Sequence, residues 1–385
     1  MTELNTTLFD TPTGNPLIVI TVPLLMFISG IVGNVLALMV LCRSNRDHRR
    51  NVFFRLVGGL ACTDLFGILA LSPVTICVYA NGRKWIGGQP LCHYFSFFMI
   101  FAGIATVSIV GVMAFERYVA ILQPYSYNTK FTPGKVIYIL VTVWILSAFV
   151  ACLPFLGLGR NVLHFPGTWC FFDYHGNGLT DKIFTYLYTF FGLFVIGVTA
   201  ICNTAVMFVL VRMRHLVKKL NKHGSHAQVD NEAHMIILLA GIILVFATCY
   251  APLMVRVTIN QTHVFPINHA ADLLTIRLAC LNQILDPWVY ILFRKQLFSK
   301  LWNLVTCSKK TKPINGINDK CLKNNIADGV VVSDTIKETF LHKTSTAKSD
   351  IISKEADGQE CRLLLLSSFH ENSEKKVVDK IQEQM

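Results

Sequence analysis

The sequence predicts an all-α membrane protein: a bundle of seven transmembrane helices followed by a short amphipathic helix on the inner leaflet. Three observations lead there. Hydrophobic residues make up 53% of the 385 residues and charged residues only 15%, well below the roughly 25% charge of a soluble domain. Seven apolar runs, at about 17–42, 53–79, 91–115, 136–158, 183–211, 235–258 and 271–292, each approach the roughly 20 residues that cross a bilayer as a helix. None shows the apolar–polar alternation of a transmembrane barrel strand.

Residues 1–16 form a polar N-terminal segment without Lys or Arg, and they hold the glycosylation sequon Asn5-Thr6-Thr7. A sequon is useful only outside the cell. No positive n-region precedes the first run, which is also too long for a signal-peptide core, so the first span is expected to direct insertion itself. Loop charges give the same orientation. Arg43, Arg46, Arg49, Arg50 and Arg55 flank the first connection, Lys130 and Lys135 the third, and Arg212, Arg214, Lys218, Lys219 and Lys222 the fifth. The opposite side has Arg83, Lys84, Arg160 and Lys182. Positive residues mark the cytoplasmic side. The N-terminus is therefore expected outside, the C-terminus inside, and the chain in the plasma membrane.

The first, fourth and fifth runs carry no charge, whereas the second carries Asp64 and the seventh carries Arg277 and Asp286. A charge at mid-bilayer costs roughly 2.5–3.5 kcal/mol on the lenient scales, so each needs a partner or a polar cavity. Nine residues of helix separate Arg277 from Asp286 by about 13 Å, too far for a direct pair. Two polar sites follow: an outer one at Arg277, read as a ligand site, and an inner one at Asp286, read as a switch. Asn282 lies one turn before Asp286 on the same face, and Asp64 and Asn34 are expected at similar depth. Two carboxylates there would share a proton or a cation, or the group is polar glue between helices. Pro287 frees a carbonyl and permits a bend.

Glu116-Arg117-Tyr118 closes the third span. The 25 residues from Cys92 to Arg117 make about 37 Å of helix, which puts the triplet at the cytoplasmic face. It reads either as an ionic latch or as a snorkelling arginine. Cys92 and Cys170 are the two cysteines expected at the outer surface, where thiols oxidise, and a bond between them would pin the loop across the mouth of the bundle.

Leu297, Phe298, Leu301, Trp302 and Val305 recur at helical spacing beside Arg294, Lys295 and Lys300, the pattern of an inner-leaflet helix. Cys307 follows as a palmitoylation candidate. The seven-helix domain is expected over 17–306 and a disordered cytoplasmic tail over 307–385, rich in phosphorylatable hydroxyls. The net charge of +12 falls in short clusters between apolar runs, so no nucleic-acid partner is expected. The twelve cysteines lack CxxC spacing, which argues against metal and redox-enzyme chemistry.

Seven spans, Gly33-Asn34, Glu116-Arg117-Tyr118, the paired cysteines and Asp286-Pro287-Trp288-Val289-Tyr290 resemble a rhodopsin-class G-protein-coupled receptor. Gly167-Thr168-Trp169-Cys170-Phe171 and Ile276-Arg277-Leu278 resemble the prostanoid branch. Leu71-Ser72-Pro73-Val74-Thr75, Gly87-Gly88-Gln89-Pro90-Leu91-Cys92 and Leu156-Gly157-Leu158-Gly159 are most similar to its subtype-four prostaglandin E receptors. The resemblance implies that Arg277, Tyr79 and Thr168 hold a lipid carboxylate, with Trp169, Asp272 and Thr75 lining the pocket. It implies prostaglandin E2 or a related acidic lipid as ligand, the stimulatory heterotrimeric G protein as partner with a rise in cyclic AMP, and arrestin and receptor kinases acting on the tail. It implies no cofactor and no enzymatic activity. Departures are Cys280 in place of an expected serine, and Cys249-Tyr250-Ala251-Pro252 in place of the usual tryptophan-containing sixth-span motif.

Rival readings are weaker. A transporter would show broken helices or an inverted repeat, and neither is evident. A retinal photoreceptor needs a lysine in the last span, and none lies between Asp272 and Phe293. An intramembrane enzyme would have to rely on Asp64 and Asp286.

Overall fold

A computed structural model of the chain describes residues 16–43, 52–220 and 226–293. Asn5, the helix expected around Leu297, Cys307 and the tail lie outside the described residues.

Long apolar runs become helices because a backbone surrounded by lipid must satisfy its polar groups within the segment. They are α1 (Pro16–Cys42), α2 (Val52–Ala80), α3 (Gly88–Leu122), the short α4 (Pro124–Lys130), α5 (Pro133–Cys152), α6 (Leu179–Leu220), α7 (His226–Val245), α8 (Ala251–Thr262) and α9 (His269–Phe293). A 3₁₀ turn, Leu153–Leu156, extends α5, and a π turn, Phe246–Tyr250, joins α7 to α8. Six of the resulting stretches are long and apolar enough to cross a membrane. The seventh, α9, has the length at 25 residues but carries Asp272, Arg277 and Asp286. Its polar side chains are what distinguish it.

The ends and irregularities have local causes. Thr132 caps α5 by accepting from the Lys135 amide at 3.4 Å, with Pro133 in the first turn, where its missing N–H costs nothing. Gly157, at φ +90°, turns the chain out of the 3₁₀ segment. The π turn ends two residues before Pro252, which has no N–H to continue the α-helical ladder.

α3 is the most enclosed of the six apolar stretches and α5 the least. The third helix packs against α2, α5, α6 and β2, while α1 packs on α2 and α9. Large apolar side chains point outward at Leu25, Phe66, Ile145, Phe149, Phe194 and Ile201, as a lipid-facing surface requires.

Between α5 and α6 the chain forms a hairpin of β1 (Asn161–His164) and β2 (Trp169–Phe172), antiparallel with Leu163 opposite Cys170. Cys170 is bonded to Cys92 in the first turns of α3, Cα–Cα 5.2 Å. Arg160 ties the base of the hairpin to the start of α6, with Nη2 at 2.9 Å from Asp181 and 3.2 Å from Asp173. The hairpin thus becomes a fixed lid at one end of the bundle.

Candidate functional site

Beneath the lid lies a cavity of about 330 Å³. α2 contributes Leu71, Ser72, Thr75 and Tyr79, and α3 Phe95 and Met99. The lid brings Thr168 and Trp169, α9 brings Ile276, Arg277, Cys280 and Gln283, and α1 closes the side with Val22, Pro23 and Met26. The walls are mainly apolar and the polar groups few, the usual make-up of a small-molecule site.

Arg277 is half-buried, and its Nη2 donates to the Tyr79 hydroxyl at 3.1 Å. Among the described residues no carboxylate lies within ion-pair distance of it. A guanidinium offers five donors in a planar fork, so most of its hydrogen-bonding capacity faces the cavity unmatched. Thr168 and Trp169 are held by the lid: both are buried, and the Trp169 indole donates to the Phe165 carbonyl at 3.0 Å. Thr75 lines the cavity while its hydroxyl donates back to the Leu71 carbonyl at 3.1 Å.

Asp272 is a correction. The resemblance implied a cavity-lining role, but the side chain points to another cluster. Its Oδ1 accepts from Arg256 Nε at 2.7 Å and from Asn260 Nδ2 at 2.8 Å, and its Oδ2 accepts from His175 Nε2 at 3.2 Å. Helical geometry explains the divergence: residues five apart are about 140° apart around the axis, so Asp272 and Arg277 face different neighbours. The same bond occupies the Asn260 amide, which is buried.

Residues that sequence reasoning passed over also line the cavity. Gln283 and Ile284 lie a further turn beyond Cys280, which the sequence already marks and which stands one turn after Arg277, so continuing that face inward would have found them. Arg83 adds a second guanidinium to the lining from the turn after α2, at φ +63°. Nothing in the sequence marks that approach.

Below the cavity a second void, about 40 Å³, is bounded by Met99, Gly103, Thr106, Tyr188, Tyr250, Asn282 and Gln283 among others. The Tyr188 and Tyr250 hydroxyls meet at 3.1 Å. A Cβ on Gly103 would stand 2.9 Å from both, so glycine there is a packing requirement. Deeper still are the residues that the sequence suggests as a switch. Thr106 donates to Asp64 Oδ1 at 2.8 Å, and Asn282 Nδ2 donates to Asp286 Oδ2 at 3.0 Å. Asn34, Asp64, Asn282 and Asp286 are all buried. Gly33 lets α1 approach α9, since a Cβ would meet the Pro287 ring at 3.0 Å and the Trp288 indole at 3.1 Å.

At the far end of α3, Arg117 Nη2 donates to Glu116 Oε1 at 2.8 Å and the Arg117 guanidinium lies 4.6 Å from the Phe53 ring centroid. The Tyr127 hydroxyl, from α4, donates to the same Glu116 oxygen at 2.6 Å. Burial and the Glu116 carboxylate push the Tyr127 phenol upward, which keeps it a donor. Tyr118 packs against the core and stacks with Phe115, ring centroids 6.5 Å apart.

Residues 33–290 match the family "7 transmembrane receptor (rhodopsin family)". The chain belongs to the rhodopsin family of seven-transmembrane receptors. Its members are receptors, not enzymes, and act through G proteins. Within the family this chain is of prostanoid type. It is 37% identical over 330 residues to the prostaglandin E2 receptor EP4 subtype of Oryctolagus cuniculus, covering 75% of this chain and 67% of that one. The Homo sapiens EP4 subtype is 36% identical over 327 residues, with the same coverage. The Homo sapiens EP3 subtype is 35% identical over 304 residues, covering 72% of this chain and 77% of its own. The chain spans about two thirds of the length of the EP4 relatives. In this rhodopsin-family receptor, the disulfide expected from the sequence closes the lid over the cavity.

Proposed function

We propose that this chain is a plasma-membrane receptor for an acidic lipid of the prostaglandin E2 kind, with its lid outside the cell and its Glu116–Arg117 end inside, where it engages the stimulatory G protein and raises cyclic AMP. The observation that carries the ligand reading is Arg277: a guanidinium in an apolar cavity, hydrogen-bonded to Tyr79 and without a carboxylate partner among the described residues. A lipid carboxylate supplies the missing charge with two parallel hydrogen bonds. Tyr79 and Thr168 add hydroxyl donors, and the apolar walls accommodate the chain. The volume, about 330 Å³, falls within the range of about 300–1,000 Å³ for such sites.

Transmission is assigned to the stack beneath. Ligand in contact with Gln283 and Cys280 bears on the void that Asn282 and Thr106 also line, and those two residues hold the carboxylates of Asp286 and Asp64. Asn34 completes this inner group. Glu116, Arg117 and Tyr118 form the latch that releases when the G protein binds. Arrestin and receptor kinases are assigned to the tail, glycosylation to Asn5 and palmitoylation to Cys307. A second reading is a receptor for another prostanoid or acidic lipid with a different G protein, since the identity to these relatives is 35–37%. Cells expressing the chain, exposed to each prostanoid in turn with cyclic AMP and calcium recorded, test both. A cyclic AMP rise to prostaglandin E2 at the lowest dose supports the first reading. A calcium rise or a cyclic AMP fall supports the second, and silence to every prostanoid overturns the ligand assignment.

A further inference from the structure

Asp272 is the centre of a polar cluster that the lipid cavity does not use. His269 and Asp272 stand three residues apart in the first turn of α9, on one face of the helix. His175 reaches them from the segment that follows β2. One donor atom from each of the three lies within 4.8 Å of the others, and among the described residues this is the one such group of His, Cys, Asp or Glu side chains.

We propose that His175, His269 and Asp272 form a binding site for a divalent transition ion of the zinc type, bridging the lid segment to α9. Two imidazoles and one carboxylate, with a fourth position left to water, are a three-ligand set that suits this ion. Bonds of about 2.0–2.2 Å in a tetrahedron set donors about 3.4 Å apart. His175 Nε2 and Asp272 Oδ2 are already 3.2 Å apart. The wider gap, at most 4.8 Å, closes by turning His269, which is exposed and whose ring rests on Phe165 with centroids 5.3 Å apart.

The carboxylate is oriented for the purpose. Arg256 and Asn260 both hold Oδ1, which leaves Oδ2 facing the imidazoles. Such outer hydrogen bonds fix the ligand atom that meets the metal. The other ring nitrogen of His175, Nδ1, is buried and has no hydrogen-bond partner, so it can carry the ring proton and leave the Nε2 lone pair for the ion. Two features oppose the ion: the Arg256 charge, and the positive N-terminal end of α9. Both lower the affinity and make the binding reversible. The bound ion would fix the lid segment to α9, the helix that carries Arg277. Metal thereby becomes a regulator of access to the cavity.

The site does not depend on which lipid the receptor binds, so it is tested with zinc alone. The full chain, purified without a metal-binding tag, placed in nanodiscs and with its free thiols alkylated, is titrated with Zn²⁺ against a fluorescent zinc chelator. Wild type should take up one more equivalent than His269→Ala, and zinc should raise the thermal midpoint of wild type but not of that variant. Midpoints measured in chelator should coincide, because His269 is exposed. His269→Asp, which preserves a ligand atom, should retain the equivalent. Equal zinc uptake by wild type and His269→Ala, or none by wild type, overturns the site. If the His269→Ala midpoint in chelator falls, His175→Gln replaces it as the ligand-deleting variant under the same criterion.

Discussion

Asn34 Nδ2 donates to the Gln283 carbonyl at 3.1 Å, the acceptor that Pro287, four residues on, cannot serve because it has no N–H. A side chain of the first span therefore completes the backbone of the seventh at the level where the cavity floor meets the buried carboxylates. Asn34→Ala should leave that carbonyl buried without a donor, at about 1–3 kcal/mol. Thermal unfolding of the purified receptor reads the loss. Since Gln283 also lines the cavity, agonist efficacy should change with it, and an unchanged midpoint with unchanged efficacy would refute the role.

The lid depends on one covalent link. Cys92→Ala or Cys170→Ala opens a loop with a sequence separation of 78, and loss of a native disulfide typically costs about 2–5 kcal/mol. Trp169 and Thr168 should then leave the cavity, and both surface display and prostanoid binding should collapse. Normal binding by either variant counts against the lid.

The seven runs were legible because hydropathy reports the lipid-embedded part of a helix directly. Their ends were not. The run read as 91–115 is a helix from Gly88 to Leu122, and that read as 183–211 extends from Leu179 to Leu220, because a helix continues into water where apolarity no longer marks it. The hairpin at 161–172 escaped notice for a different reason. Its strands are four residues each and owe their order to the disulfide and the Arg160 ion pairs, which are tertiary. Asp272 misled for a third reason: its partners Arg256, Asn260 and His175 come from two other segments, and no spacing along α9 reveals them.

The latch proposed for Glu116 and Arg117 makes a prediction at the opposite end. Glu116 holds Arg117 and is itself held by Tyr127. Glu116→Gln should weaken the charge pair and raise basal signalling. Tyr127→Phe should act in the same direction by a smaller amount, because one neutral hydrogen-bond donor is lost. Agonist-free G-protein activation, normalised to surface receptor, is the measurement. Basal activity equal to wild type in both variants would leave Arg117 as a snorkelling side chain.

His164 gives the lid a pH dependence. Burial pulls the imidazole down to about 4, with the hydrogen bond from Nε2 to the Phe172 carbonyl opposing. The ring is sandwiched between Trp169 and Tyr174, centroids 4.6 Å from each. An unfolded histidine titrates near 6.5, so above that pH both states are neutral and His164 imposes no penalty. Below it the unfolded chain binds the proton first, and stability falls by about 1.4 kcal/mol per pH unit until the folded site titrates near 4. His164→Phe keeps the ring stack and removes the titration. Its thermal midpoint should fall less between pH 6.5 and 4 than that of wild type, and parallel curves would reject the assignment.

The sharpest test concerns Arg277. Its guanidinium meets Tyr79 at 3.1 Å, and the acid on its own helix is engaged elsewhere, since Asp272 pairs with Arg256 at 2.7 Å. The two side chains stand about 140° apart around the α9 axis, so Asp272 is not placed to neutralise Arg277. The cavity is the remaining direction in which its charge can be matched. Arg277→Ala should therefore weaken binding of prostaglandin E2 by about 2–5 kcal/mol, roughly 30-fold to 4,000-fold. Arg277→Lys should restore part of this, because an ammonium keeps the charge and loses the planar fork. The methyl ester of the same lipid separates ligand contact from helix support: it keeps the tail and discards the carboxylate charge. Competition binding of acid and ester to wild type and Arg277→Ala completes a double-mutant cycle. A large coupling, with the ester losing far less than the acid, places the carboxylate on Arg277. Equal losses for acid and ester would mean that the side chain holds the bundle and that the lipid's charge is met elsewhere, with Arg83 at the cavity lining the next residue to substitute.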